Sequence, residues 1–157
     1  MKLAEELPYR LGVGMMLLNK ENKVFVGKRI DTRSEAWQMP QGGVDEGENL
    51  QEAALRELEE EVGTNKVKLV EISSNWYFYD IPQELISTMW DGKYRGQKQK
   101  WFVFRLCTDD SDININTKHP EFCQWKWIDI EQLPEVIVFF KRDIYQSIVD
   151  EFKYLVK

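Results

Sequence analysis

Apolar residues fall into short runs along this chain, and polar turns separate the runs. Seven segments have the length and pattern of β-strands. They span residues 10–18, 23–29, 37–40, 67–74, 76–79, 98–106 and 124–128. Gly12 and Gly14 in the first segment are expected where the backbone closely approaches a neighbour.

Two other segments have helical periodicity. Asn49 suits the N-cap of the first helix, Glu52 completes a capping box, and Gly63 suits its C-terminal stop, which predicts a helix over residues 50–62. The second helix begins near residue 141, and its apolar residues recur at helical spacing: Ile144, Ile148, Phe152 and Leu155. Strands interspersed with two long helices predict an α+β fold, with a sheet sandwiched between helices.

The composition is that of one intracellular domain. The 157 residues suit a single domain spanning 1–157. The net charge of -6 excludes a general nucleic-acid coat protein but allows a local basic pocket. Cys107 and Cys123 are too few for a disulfide framework, and no apolar run approaches the ~20 residues that span a bilayer. We therefore expect a cytoplasmic protein without membrane attachment.

The first helix carries a cluster of glutamates. At roughly 100° per residue, Glu57, Glu60 and Glu61 share one side. Such a run of glutamates is most often a solvated helix face. A solvated face usually offsets like charges with lysines four residues further on, but no lysine lies between these glutamates. Carboxylates beside the Gly42-Gly43 corner are better explained as oxygen ligands for a hard divalent cation, Mg²⁺ or a substitute such as Mn²⁺.

The spacing around this helix resembles the Nudix box. The glycine, arginine and glutamate positions of that motif are filled by Gly42, Glu48, Arg56, Glu57, Glu60, Glu61 and Gly63. The one departure is Thr64, where the family usually has a bulky aliphatic residue. The resemblance implies an α/β/α sandwich around a mixed sheet. It also implies metal-assisted hydrolysis of a diphosphate linked to another group, very often a nucleoside.

Four further segments narrow the resemblance to one branch of the family. WQMPQGG, GQKQKWF, HPEF and FFKRDIY are similar to segments of bacterial RNA pyrophosphohydrolases, whose relatives also hydrolyse diadenosine polyphosphates. This resemblance implies that Glu121 is a further metal-binding carboxylate. Without it, Glu121 would as readily be an ordinary loop acid. Several cations on a polyphosphate need more oxygen ligands than one helix supplies.

The expected active site is built around these carboxylates. Its metal ligands would be Glu57, Glu60, Glu61, Glu121 and a backbone carbonyl of Gln41 or Gly42. Glu57 is the preferred general base, although the residues alone do not separate it from Glu60. Arg56 is the third residue assigned to catalysis, because it can orient Glu48 or its neighbours on the helix.

The substrate-binding candidates are four cations and one aromatic ring: Arg10, Arg29, Lys98, Lys141 and Phe140. Scattered cations are often merely solvated, and Arg29 and Lys98 are the favoured phosphate contacts. Phe140 and Arg29 could sandwich a purine, because bases stack on aromatic rings and guanidinium planes. The adjacent Phe139 and Phe140 are expected to split, one buried and one exposed.

The residues leave more than one function open. The preferred function is hydrolysis of RNA 5′-triphosphate ends to 5′-monophosphate ends. The alternative is a diadenosine tetra- or pentaphosphate hydrolase that does not act on RNA. A non-catalytic nucleotide-sensing module is disfavoured, because such proteins tend to lose the glutamates that this chain retains. The substrate is then an RNA or a dinucleoside polyphosphate, and no protein partner is indicated.

Overall fold

The computed structural model describes residues 4–30 and 35–157. Its strands are β1 (Tyr9–Leu18), β2 (Val24–Arg29), β3 (Gln41–Gly43), β4 (Val67–Ile72), β5 (Tyr77–Asp80), β6 (Gly96–Leu106) and β7 (Phe122–Ile128). Its helices are α1 (Leu50–Val62), α2 (Gln83–Ile86), α3 (Leu133–Val136) and α4 (Arg142–Phe152). Single 3-10 turns lie between or beside these elements, including Trp90–Gly92 and Phe139–Lys141.

The strands form one mixed sheet of order β4-β6-β1-β2-β7. Its centre is the long parallel pair of β1 and β6, in register from Tyr9 opposite Gly96 to Leu18 opposite Arg105. β5 pairs with the first residues of β6, and β3 pairs with the middle of β1. The glycine corner is therefore part of the sheet and lies beside the beginning of its two central strands.

Helices cover both faces of this sheet. Side chains alternate along a strand, so Met15 packs towards α1 and Leu58, whereas Met16 packs towards α4 and Tyr145. The sheet is thus sandwiched between helices, which confirms the predicted α+β fold. Within the described residues, no helix is long and apolar enough to cross a membrane.

Helix α1 forms as its local sequence predicts. The Asn49 side chain accepts a hydrogen bond from the Glu52 N–H (2.8 Å), and Gly63 adopts a left-handed conformation (φ 83°) while its N–H donates to the Glu59 carbonyl (2.9 Å). Thr64 is buried. Its hydroxyl accepts a hydrogen bond from the Lys66 N–H (3.1 Å), which satisfies the polar atom that this departure from the family introduces.

The strand predicted at residues 37–40 is wrong in position. Only Gln38 makes a bridge there, to Gly27, and the regular strand is Gln41–Gly43. Pro40 has no N–H to donate to a ladder, while the residues after it can pair with β1. The glycine corner, expected to follow a strand, is itself the strand.

Candidate active site

The glycine corner brings helix α1 against the edge of the sheet. Gly42 pairs with Val13 of β1, and a Cβ atom added to Gly42 would overlap the carboxylate of Glu57. A residue without a side chain is therefore required for Glu57 to lie against the backbone of β3. This contact links the first and the middle part of the predicted motif.

Glu61 is the most buried carboxylate of the site, with 3% of its surface exposed. It accepts a hydrogen bond from the Gln41 N–H (3.1 Å). Burial raises the pKa of Glu61 well above its ordinary value, and the negative charges of Glu57 and Glu121 raise it further. A buried carboxylate beside two others favours a bound cation, because a cation offsets the cost of holding these charges together.

Glu57 lies nearer the surface than Glu61. Burial raises the pKa of Glu57, and the adjacent guanidinium of Arg56 opposes this rise. Arg56 Nη1 donates a hydrogen bond to Glu57 Oε1 (2.8 Å) and lies 3.4 Å from the carboxylate of Glu60. The Glu60 side chain is 56% exposed and does not belong to the residues that line the cleft.

Hydrogen bonds of the Arg56 side chain link the loop before α1 to the helix. Its Nε and Nη2 donate to the two oxygens of Glu48 (2.8 and 2.9 Å), and Nη2 also donates to the Gly43 carbonyl (3.0 Å). These bonds lower the pKa of Glu48 to about 2. The structure therefore places Arg56 in contact with Glu48, Gly43 and Glu57, and its role in catalysis stays a prediction.

Glu121 joins the helix glutamates from a distant part of the chain. It directly precedes β7, and its carbonyl accepts a hydrogen bond from the Ile30 N–H (3.0 Å), just after β2. Its charge contributes to the raised pKa of both Glu57 and Glu61. Pairing of β2 with β7 thus places a fourth carboxylate on the acidic side of the cleft.

The donor set suits a hard cation that shares its coordination with a substrate. Among residues 4–30 and 35–157, no three carboxylate, histidine or cysteine side chains already converge into a metal-binding cluster. Mg²⁺ does not need such a cage, because it is usually bound by one or two carboxylates together with water and substrate phosphates. Glu57, Glu61, Glu121 and the carbonyls at Gln41 and Gly42 line the cleft and offer only oxygen ligands.

Basic side chains line the cleft together with the carboxylates. The cleft has a volume of about 240 Å³, and Arg10, Arg29 and Lys141 contribute to its wall. Arg10 lies with Cζ 5.6 Å from the centre of the Trp90 ring. Lys141 is 6% exposed, and burial together with the charge of Arg29 lowers its pKa to about 7. Basic groups beside acidic groups can bind a polyphosphate whose other oxygens contact a metal.

Two of the predicted substrate contacts lie outside this cleft. Lys98 is on the opposite face of β6, with Nζ 4.6 Å from the centre of the Trp76 ring. Phe140 is half-buried and packs against Tyr79, with ring centroids 6.2 Å apart. Phe139 is 68% exposed, so the two phenylalanines split as predicted.

The cleft also contains residues that were not among the predicted site residues. They are Gln38, Tyr79, Met89, Trp90 and Gln97. Gln99 donates to Gln41 Oε1 (3.1 Å) and to Gln97 Oε1 (2.7 Å), which fixes both amides at the back of the cleft. Gln97 and Gln99 are two residues apart in a strand, so their side chains share one face. This spacing was the sequence signal from which a polar face could have been predicted.

Comparison with known proteins identifies the family. The NUDIX domain family matches residues 8–148, and the chain belongs to this family. The chain is 53% identical to the RNA pyrophosphohydrolase of Rickettsia bellii (strain OSU 85-389) over 151 residues, covering 96% of this chain and 94% of the relative. It is 52% identical to the RNA pyrophosphohydrolase of Rickettsia typhi (strain ATCC VR-144 / Wilmington) over 152 residues, covering 97% and 94%.

Solved structures agree with this fold. The E. coli dihydroneopterin triphosphate pyrophosphohydrolase superposes with a TM-score of 0.66 at 21% identity, covering 90% of this chain and 97% of that one. A C. elegans Ap4A hydrolase superposes with a TM-score of 0.64 at 18% identity, covering 95% and 99%. At these identities the comparison establishes the fold alone. The resemblance to the Nudix family and to its RNA pyrophosphohydrolase branch is confirmed.

Proposed function

We propose that this protein hydrolyses the 5′-triphosphate end of RNA to a 5′-monophosphate end. The observation that carries the proposal is the cleft itself, which Glu57, Glu61 and Glu121 line together with Arg10, Arg29 and Lys141. Such a cleft suits a chain of phosphates bound between a divalent cation and basic side chains. The relatives that share more than half of their residues with this chain are named RNA pyrophosphohydrolases.

The residues divide the chemistry between them. Glu57, Glu60, Glu61 and Glu121 would hold Mg²⁺ or Mn²⁺ with the carbonyls of Gln41 and Gly42. When bound, the cation neutralises phosphate oxygens and acidifies water. Glu57 would accept the proton of the attacking water, because burial raises its pKa and so makes the carboxylate a stronger base. Glu60 is the alternative base, and the Arg56 contacts hold both glutamates in place.

The substrate contacts follow from the basic wall. Arg10, Arg29 and Lys141 would bind the phosphates that remain with the RNA. The first base would lie near Arg29 and the ring pair of Tyr79 and Phe140.

Two exposed free cysteines, Cys107 and Cys123, suit a reducing compartment, so we assign the activity to the cytoplasm.

Parallel assays of two substrates test this function. The protein with Mg²⁺ is incubated with a 5′-triphosphorylated 12-nucleotide RNA and, separately, with diadenosine tetraphosphate. We expect the RNA to be converted to its 5′-monophosphate with the larger kcat/KM. Faster turnover of the dinucleotide with none of the RNA would support the alternative substrate. If neither substrate is hydrolysed, both proposed enzymatic functions are contradicted and a nucleotide-sensing module is favoured.

A further inference from the structure

One face of the sheet ends in aromatic and basic side chains that are at least partly exposed. We call this surface the aromatic-basic patch, and its residues are Tyr9, Leu11, Trp76, Phe78, Lys98 and Lys100. Lys98 pairs with Phe78 on one side and with Leu11 on the other, so these three side chains lie in a row across β5, β6 and β1. Further along the same face the strands are covered by α1, which leaves this end open.

The patch exposes apolar rings that would ordinarily be buried. Phe78 is 51% exposed and Trp76 is 37% exposed. Tyr9 and Phe78 touch edge to face, with centroids 5.1 Å apart. A contiguous exposed apolar surface of this kind marks a binding site more often than a single exposed residue does.

Two lysines accompany these rings. Lys98 and Lys100 place their Nζ atoms 4.6 and 5.2 Å from the centre of the Trp76 ring. In the described part of the chain, ion pairs involve other cations: Lys23, Lys28, Arg56, Lys66, Arg95 and Lys153. In a chain of net charge -6, two lysines without a carboxylate partner form a local attraction for a polyanion.

We propose that the aromatic-basic patch binds the body of a single-stranded RNA whose 5′ end lies in the cleft, an inference that rests on the proposed function. Aromatic rings stack with bases of any sequence while adjacent cations contact phosphates. A protein partner fits less well, because lysines are depleted in the desolvated centres of protein interfaces. The occupant that satisfies both rings and lysines is single-stranded RNA.

The patch and the cleft lie on opposite faces of the same strands. Arg10, Tyr79 and Gln97 line the cleft, and their chain neighbours Leu11, Phe78 and Lys98 belong to the patch. Among the described strands β5 pairs only with β6, so it forms an edge around which an RNA can pass from one face to the other. A very short RNA would fill the cleft without reaching the patch.

Substrate length separates the patch from the active site. KM and kcat are measured on unstructured 5′-triphosphorylated RNAs of three and twelve nucleotides, for the wild type, Phe78→Ala and Lys100→Gln. The matched controls are Tyr154→Ala, another exposed aromatic residue, and Lys20→Gln, in the turn at the far end of β1. We expect Phe78→Ala to raise KM for the longer RNA on the order of tenfold, with KM for the shorter RNA and both kcat values unchanged. Lys100→Gln should lower the salt dependence of binding to the longer RNA by about 0.7 in log-log slope.

Three results would overturn the inference. They are a wild-type KM that does not depend on RNA length, equal effects of Phe78→Ala on both RNAs, and no effect on either. The last would show that the patch does not bind RNA. If the wild type hydrolyses neither RNA, the proposed function fails. Fluorescence anisotropy of a labelled twelve-nucleotide RNA then tests the patch alone, since Phe78→Ala should still weaken binding and Tyr154→Ala should not.

Discussion

The carboxylate of Glu57 occupies the space that a side chain on residue 42 would fill. Gly42 lies in β3 and Glu57 lies near the middle of α1, and a Cβ atom on Gly42 would overlap the Glu57 carboxylate. The glycine of the motif is therefore needed for two reasons. It permits the backbone path of β3, and it leaves room for a carboxylate fifteen residues later.

Gly42→Ala tests this relationship directly. We expect it to displace Glu57 and to lower kcat at least ~100-fold, as for loss of an acid–base group. Gly47→Ala is the control, because a Cβ atom there meets nothing within 4 Å although its φ of 81° costs some stability. The explanation fails if Gly42→Ala retains activity, or if both variants lose it equally while circular dichroism shows both folded.

Substitution of the helix glutamates tests the chemistry. We expect Glu57→Gln and Glu60→Gln each to lower kcat ~100-fold or more. The fold should be retained, because glutamine keeps an oxygen that can accept from Arg56 and α1 loses one of several neighbouring negative charges. Glu59→Gln, on the exposed side of the same helix, should leave turnover unchanged. Steady-state kinetics with circular dichroism checks this. Near wild-type turnover of both Glu57→Gln and Glu60→Gln would exclude the assigned site.

Metal titration tests Glu121. We expect Glu121→Ala to reduce turnover less than the helix variants and to raise the Mg²⁺ concentration needed for half activity, because one oxygen ligand is lost while Glu57 and Glu61 remain. Glu131→Ala, an exposed acid just after β7, serves as the control. If the two titration curves coincide, Glu121 is an ordinary loop acid.

The pH dependence of stability tests the environment of Lys141. Burial lowers its pKa from 10.5 to about 7 in the folded protein. Between these values the unfolded chain binds a proton that the folded protein has released, so the contribution of Lys141 to stability rises with pH from about 7 to 10.5. Below that window both states are protonated and the cost of burying the charge is fully present.

Lys141→Met should therefore stabilise the protein most at pH 6, and its advantage over the wild type should shrink as pH rises through 7 to 9. Urea unfolding at each pH measures this difference. Lys20→Met, at an exposed turn position, should show no such trend. A pH-independent difference between Lys141→Met and the wild type would mean that Lys141 keeps its ordinary pKa.

Phe140 and Phe139 form a matched pair for base binding. Phe140 packs against Tyr79, which lines the cleft, and Phe139 is mostly exposed. We expect Phe140→Ala to raise KM for triphosphorylated RNA on the order of tenfold while most of kcat is retained, and Phe139→Ala to change neither. If Phe140→Ala lowers only the melting temperature, Phe140 has a packing role and the base binds elsewhere.

The local features of this protein could be predicted from its sequence. Helix α1 has the predicted bounds because its caps, Asn49 and Gly63, act on residues within one turn of themselves. The shared side of Glu57 and Glu61 follows from helical geometry, and the spacing of the motif was sufficient to identify the family.

The tertiary structure decided which residues meet. Glu121 joins Glu61 because β2 and β7 pair, and Arg10 joins Lys141 because β1 and the turn before α4 border one cleft. Lys98 shows what the sequence alone could not decide. Strand alternation separates it from Gln97, but only the packed helices determine which face of β6 becomes the cleft and which remains open. Pairing of distant strands depends on the whole core, so no local pattern contains that choice.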